Sequence, residues 1–145
     1  MRTTSADTDL APRLRLAIAR SARRLRQESG TDLSPSQTTA LAVIEAVGPL
    51  TPSELAIRER IQRPTVTRLL GRLEEAGLVS RAADPGDGRS SLVTVTPAGR
   101  ALLAASRTRK DAFLSARLET LGAEDRATLA RAADLLEGML EEPRT

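Results

Sequence analysis

Four side chains in the stretch "RPTVTRLLGRLEEAG", residues 63–77, have the chemistry to contact a nucleic acid. Thr65, Arg68 and Arg72 recur three and four residues apart, the spacing of one helix face, and Thr67 and Gly71 flank them. Hydroxyl side chains this short permit close approach, and a guanidinium presents paired donors that fit guanine edges or a phosphate. An ordinary surface helix with scattered arginines would carry the same residues, so this helix alone leaves both readings open. The second candidate is "DPGDGRSS", residues 84–91, where turn-formers surround Arg89 and place Asp87 two residues before it. Its glycines at 86 and 88 match neither a GxGxxG nor a GxxxxGK(S/T) spacing, and a β-rich run follows instead of a helix. That excludes a phosphate-cradling loop.

The residues that are missing narrow the chemistry further. The 145-residue chain contains no cysteine, histidine, tryptophan or tyrosine. Structural zinc sites, thiol redox sensing, disulfides and the commonest nucleophile–base pairs therefore have no side chains to use. No motif gathers the 19 acidic residues into a constellation. No enzymatic activity, cofactor or metal is expected. Hydrophobic residues at 40% and charged residues at 28% describe a globular chain, and no signal peptide or membrane-spanning run is visible, which predicts a cytoplasmic protein. The net charge is +3, and basic and acidic blocks alternate along the chain, with a basic stretch over residues 58–110. Such a stretch is the footprint of a nucleic-acid binder, although an arginine-rich, alanine-rich composition produces solvated basic helices as well.

Local punctuation predicts the elements that position these residues. Leu10, Leu14, Ile18 and Leu25, with Ala17 and Ala22, recur near the helical period over about residues 9–28, and Gly30 ends that helix. In "LSPSQ", Ser34 caps a second helix, Pro35 takes its first position and Gln37 closes a capping box. Its buried stripe is expected at Leu41, Ile44 and Val47, and Gly48 and Pro49 stop it. "TPSE" repeats the arrangement with Thr51, Pro52 and Glu54, opening a short helix with Leu55 and Ala56 inward. Pro64 opens the fourth segment, whose apolar face is Val66, Leu69, Leu70 and Leu73, and Gly77 closes it.

Two β-rich runs follow, "LVSR" at 78–81 and "SLVTVT" from Ser91 to Thr96, predicting an antiparallel hairpin with a longer loop and Arg89 at its tip. Thr96 and Pro97 restart a helix with Leu102, Ala105, Phe113 and Ala116 on or near one stripe, ending at Leu121 and Gly122. A last helix, about 124–141, places Leu129, Ala133, Leu136 and Leu140 on one face, with Leu135 and Met139 beside it. The expected fold is mainly α with a small antiparallel β-hairpin, a winged helix-turn-helix flanked by dimerisation helices. Residues 1–145 form a single domain in this reading, with dimerisation helices at 1–30 and 100–145 and a winged-helix region at 34–98. The recognition helix falls at about 63–76 and the wing at about 78–96. The terminal helices carry more apolar surface than so small a winged domain covers, which predicts a homodimer; packing of the first helix on the last two is the competing arrangement.

From about Leu10 to Leu140 the sequence resembles the MarR family of bacterial transcriptional regulators. The resemblance rests on five pieces in order: "LSPSQTTALAVI", "TPSELA", "TVTRLLGRLEEAGLVSR", "DPGDGRSSLVTVTPAG" and "LETLGAEDRATLARAADLL". It implies a homodimer holding two winged helices against successive major grooves of double-stranded DNA at a pseudo-palindromic operator. Such proteins are repressors, less often activators, and release DNA when a small anionic or aromatic effector binds near the junction of the two regions. Position by position, the resemblance puts Thr65, Thr67, Arg68 and Arg72 on the groove-facing side. It puts Thr51 and Ser53 at phosphate contacts, Arg89 in the minor groove, and Asp87 where an acid steadies the wing.

Two departures bear on function. The family often carries two basic residues in the wing, and Gly88 stands in place of one here. The aromatic commonly found after the glutamine of the second helix is Thr38, and Phe113 is the one aromatic residue of the chain. Any effector is then held by aliphatic walls and arginines such as Arg20, Arg23 and Arg24. Two other function classes remain to be weighed, a winged-helix protein-interaction module without a DNA target and a carboxylate-dependent enzyme. The first wants aromatic anchors that the outward face lacks, and the second wants a concave acidic cluster.

Overall fold

The computed structural model describes residues 5–141. Among these, six helices and one two-stranded sheet run in the order α1 (Ser5–Glu28), α2 (Pro35–Val47), α3 (Pro52–Glu59), α4 (Arg63–Glu75), β1 (Val79–Asp84), β2 (Asp87–Val95), α5 (Pro97–Glu119) and α6 (Ala123–Leu140). The chain divides into two compact units between Lys110 and Asp111, so α5 begins in one and ends in the other.

In the first unit both expected capping boxes form. The Gln37 amide donates to Ser34 Oγ at 3.1 Å and the Ser34 amide donates to Gln37 Oε1 at 2.9 Å. At α3 the Glu54 amide donates to Thr51 Oγ1 at 3.2 Å and the Thr51 amide to Glu54 Oε2 at 3.4 Å. Each box satisfies two donors that a helix start leaves open, worth about 1 kcal/mol for the cap itself. The two helices so begun bury Ala40, Leu41, Ile44, Leu55 and Ala56 against Val66, Leu70 and Leu73 of α4 and Val79, Val93 and Val95 of the hairpin. Val47 departs from expectation, 41% exposed. It lies seven residues beyond the buried Ala40 and so on the same side of α2, but it is the last residue of the helix, directly before Gly48.

The hairpin is longer and tighter than its sequence suggests. β1 and β2 pair antiparallel from Val79 opposite Val95 to Ala83 opposite Ser91, and then Asp84 stands opposite Asp87. The connection is therefore the two residues Pro85 and Gly86, not a long loop. Asp84 Oδ1 accepts the Gly86 amide at 2.9 Å, an Asx turn that closes the chain early. Ala82 and Ala83 have little β propensity of their own, and pairing with β2 overrides it. The jump in register leaves Gly88, Arg89 and Ser90 without partners on β1, so they form a bulge. A second addition is a β-bridge between Leu50 and Val93, with N–O distances of 3.2 and 2.8 Å, which ties the α2–α3 connection to the sheet.

Thr96 joins three elements. Its hydroxyl donates to the Gly77 carbonyl at 2.6 Å and accepts the Gly99 amide at 3.1 Å, while its own amide donates to the Leu78 carbonyl at 3.0 Å. Gly77 turns the chain from α4 into β1 at φ 73°, a conformation that side chains with a Cβ resist. Gly99 allows α5 to approach so closely that a Cβ there would lie 2.3 Å from the Leu78 carbonyl oxygen. This approach sets the phase of α5. The buried positions are Gly99, Leu103 and Ser106, whereas Leu102 is half-buried and Ala105 is exposed.

In the second unit Phe113 is half-buried, with the Arg117 guanidinium carbon 4.7 Å from its ring centroid, and Ala116 is exposed. α6 starts after Gly122 and buries no residue; Leu129, Leu135, Met139 and Leu140 are exposed and Leu136 is half-buried. On α1 of the first unit, Leu10, Leu16 and Ile18 are likewise exposed.

Candidate nucleic-acid interface

α4 buries Val66, Leu70 and Leu73 completely, leaves Leu69, expected beside them, half-buried along with Thr65 and Gly71, and exposes its remaining residues. At 100° per residue, Arg68 and Arg72 lie opposite that stripe and are exposed. Thr65 sits on one flank and is half-buried; it lines a shallow groove with Ser34 and Ser36 of the start of α2, together with Arg68 and Arg72. The structure thus brings Thr65, Arg68 and Arg72 together. It separates them from Thr67, exposed on the other flank.

That second flank holds the remaining expected residues. Thr51, Ser53, Thr67 and Arg89 line one polar cleft of about 130 Å³, and Arg63 and Arg81 line it with them. Arg63 and Arg81 were not among the residues that sequence reasoning selected. Arg63 is four residues before Thr67 and so shares its side of the helix, a signal available from spacing. Arg81 lies across the turn that Gly77 makes, and no local periodicity links it to α4.

Hydrogen bonds organise the cleft. Arg63 Nη1 donates to Ser53 Oγ at 2.7 Å, joining the first turns of α3 and α4. Thr67 Oγ1 donates back to the Arg63 carbonyl at 3.0 Å. Arg81 Nε pairs with Glu74 Oε2 at 2.9 Å. Thr51 is engaged in its own capping box, and the turn between α3 and α4 is made by Arg60 at φ 53°, ψ 43°.

Asp87, expected to steady the wing, does so here through the backbone of the bulge and the Ser90 hydroxyl. Its Oδ1 accepts the Arg89 backbone amide at 3.0 Å and its Oδ2 accepts the Ser90 hydroxyl at 3.4 Å. It steadies the backbone that carries Arg89 and makes no bond to the Arg89 guanidinium. The expected position at the tip is corrected as well: Pro85 and Gly86 form the tip, and Arg89 stands three residues beyond Gly86, in the bulge. Gly88 faces open space, with nothing within 4 Å of where its Cβ would be.

These groups can donate hydrogen bonds and positive charge to an extended anion, through exposed arginines on the outer face of α4 and a guanidinium-lined cleft beside it. Among the described residues no group of three or more His, Cys, Asp or Glu side chains could hold a metal ion, and no helix is long and apolar enough to cross a membrane.

Residues 31–90 match the model of the MarR family, a span from the α1–α2 connection into the bulge of β2. An HTH-type transcriptional regulator of Mycobacterium tuberculosis is 40% identical over 137 residues, covering 94% of this chain and 96% of that protein. The chain belongs to the MarR family. The family is one of DNA-binding transcriptional regulators and not of enzymes. A transcriptional regulator protein of Pseudomonas aeruginosa, 34% identical, superposes with a TM-score of 0.87 over 97% of this chain and 99% of that one. A mutant MarR of E. coli, 28% identical, gives a TM-score of 0.74 over 91% of this chain and 96% of that chain. A mutant S. aureus MepR bound to an oligodeoxyribonucleotide shares the fold at 22% identity and a TM-score of 0.70, over 90% of this chain and 97% of that one. The winged-helix fold expected from sequence is the fold of these MarR-family structures.

Proposed function

We propose that this MarR-family protein is a cytoplasmic repressor that binds a pseudo-palindromic operator as a homodimer and releases it when a small anionic effector binds. The observation that carries the DNA reading is the pairing of exposed Arg68 and Arg72 on α4 with a flanking cleft where Thr51, Ser53, Thr67 and Arg89 meet. In this reading α4 enters the major groove, with Arg68 and Arg72 reaching base edges or phosphate and Thr65 and Thr67 at the margins. Arg89, on a bulge stiffened by Asp87, enters the adjacent minor groove, where its charge meets concentrated negative potential. Thr51 and Ser53 lie toward the phosphates.

Exposed Leu10, Leu16 and Ile18 on α1 and Leu129, Leu135, Met139 and Leu140 on α6 support the dimer, because burying such side chains against a second copy removes them from water. An open cleft of about 490 Å³ between α2 and α5 supports the effector response. Ala42, Val43 and Leu103 give it apolar walls, Lys110 gives it positive charge beside Arg107, which is paired with Glu45 at 2.9 Å, and the buried Ser106 hydroxyl, which makes no hydrogen bond, offers a donor. The cations of this cleft, one arginine and one lysine, differ from the Arg20, Arg23 and Arg24 expected from sequence; Arg24 pairs with Glu28 at 2.8 Å along α1.

The test is selection of bound sequences from a random duplex pool. The expected product is a symmetric site whose half-sites are about one helical turn apart. Recovery of no enriched sequence, or of single half-sites alone, would contradict the proposal.

A further inference from the structure

Three guanidiniums, those of Arg63, Arg81 and Arg89, border a polar cleft of about 130 Å³. Three cationic residues around one cleft favour an anion there, and among them only Arg81 has a carboxylate partner, Glu74 at 2.9 Å. Arg63 is bound only to a neutral hydroxyl, with Nη1 donating to Ser53 Oγ at 2.7 Å, which spends one of its five N–H donors. That bond turns Arg63 away from the outer face of α4, where Arg68 and Arg72 lie, and towards the start of α3.

We propose that Arg63 is a further DNA-contacting residue, a phosphate ligand that holds one backbone phosphate of double-stranded DNA in the cleft between the first turns of α3 and α4 and the bulge of β2. The inference rests on the DNA-binding reading above. It adds a residue and a role that the sequence pattern did not supply. A tetrahedral anion suits the site better than a base edge. The cleft is small and polar, its donors converge from separate elements, and Ser53 holds the guanidinium in place before DNA arrives, so little side-chain freedom is lost on binding. Arg63 therefore contributes affinity and register without reading sequence.

The experiment measures affinity for operator and for random duplex as a function of salt, using the full chain and Arg63→Gln. Glutamine keeps a donor for Ser53 and removes the charge, and thermal melting confirms that the variant is folded. The expected result is an equal loss on both duplexes and a slope of log affinity against log salt reduced by about 0.9 per engaged protomer. Over a fourfold rise in salt the variant then loses about 3.5-fold less affinity per protomer than the wild type does. Arg63→Lys restores the slope. Arg58→Ala, which removes an exposed arginine outside the cleft, leaves it unchanged. An unchanged slope for Arg63→Gln, a loss confined to the operator, or an equal drop for Arg58→Ala overturns the assignment. If the wild type itself shows no salt-dependent affinity for any duplex, the DNA-binding reading falls along with it; if the wild type binds and Arg63→Gln keeps its slope, only this inference falls.

Discussion

Replacing Asp87 separates two ways in which an acid can serve a neighbouring arginine. In the structure Asp87 does not pair with the Arg89 guanidinium; its Oδ1 accepts the Arg89 backbone amide at 3.0 Å, and Oδ2 takes a longer bond from Ser90 at 3.4 Å. Asp87→Ala removes both from an exposed bulge whose three residues have no partners on β1. A charge-assisted hydrogen bond at a solvated site contributes about 1 kcal/mol, so the loss of order costs roughly fivefold in operator affinity per protomer. Melting should fall by no more than about a few degrees, because none of these side chains belongs to the core. Asp87→Asn keeps an oxygen that can accept the Arg89 amide and removes a negative charge facing DNA, so it should bind at least as tightly as the wild type. Fluorescence anisotropy with one labelled operator at one salt concentration distinguishes the two variants. The reasoning is refuted if Asp87→Asn weakens binding as much as Asp87→Ala, since charge and not backbone support would then be the function of the residue.

Three further outcomes follow from the same geometry. Gly88→Arg places a second basic side chain in the wing where a Cβ meets nothing within 4 Å; affinity should rise on every duplex and the salt slope should steepen by about 0.9 per protomer, as a salt titration reads directly. Gly99→Ala forces a Cβ to 2.3 Å from the Leu78 carbonyl oxygen and 2.8 Å from Val95 Cγ2; chemical denaturation should show a loss of about 1–3 kcal/mol as α5 and the hairpin separate. Ser106→Ala removes a buried hydroxyl that makes no hydrogen bond; the protein should gain about 1 kcal/mol in the absence of effector, and a lower melting temperature would contradict that assignment.

The helical scaffold was legible because its signals are local. Ser34 with Gln37, and Thr51 with Glu54, satisfy each other's donors within four residues, so the sequence pattern already contains the geometry. The hairpin was half legible. "SLVTVT" shows a strand, but the extension of β1 through Ala82 and Ala83 comes from pairing with β2 and from the Asp84 turn, and neither has a propensity signature. Position on α4 showed which residues face away from the core but not what stands beside each flank. Thr65 turned out to adjoin the start of α2, and Thr67 the start of α3, because that depends on how three helices pack. Arg81 was invisible for the same reason. The phase of α5 was set by the contact at Gly99, which moved the buried positions one residue from those that the apolar pattern favoured.

The central claim is that α4 reads sequence, and Arg68 is one of its two exposed arginines opposite the buried stripe. The most direct measurement is the ratio of operator to random-duplex affinity for the wild type and Arg68→Ala at one fixed salt concentration. The expected result is a ratio lowered by about 1–3 kcal/mol, roughly five- to 160-fold, with the melting temperature retained. An unchanged ratio in a folded variant would contradict the placement of α4 in the major groove.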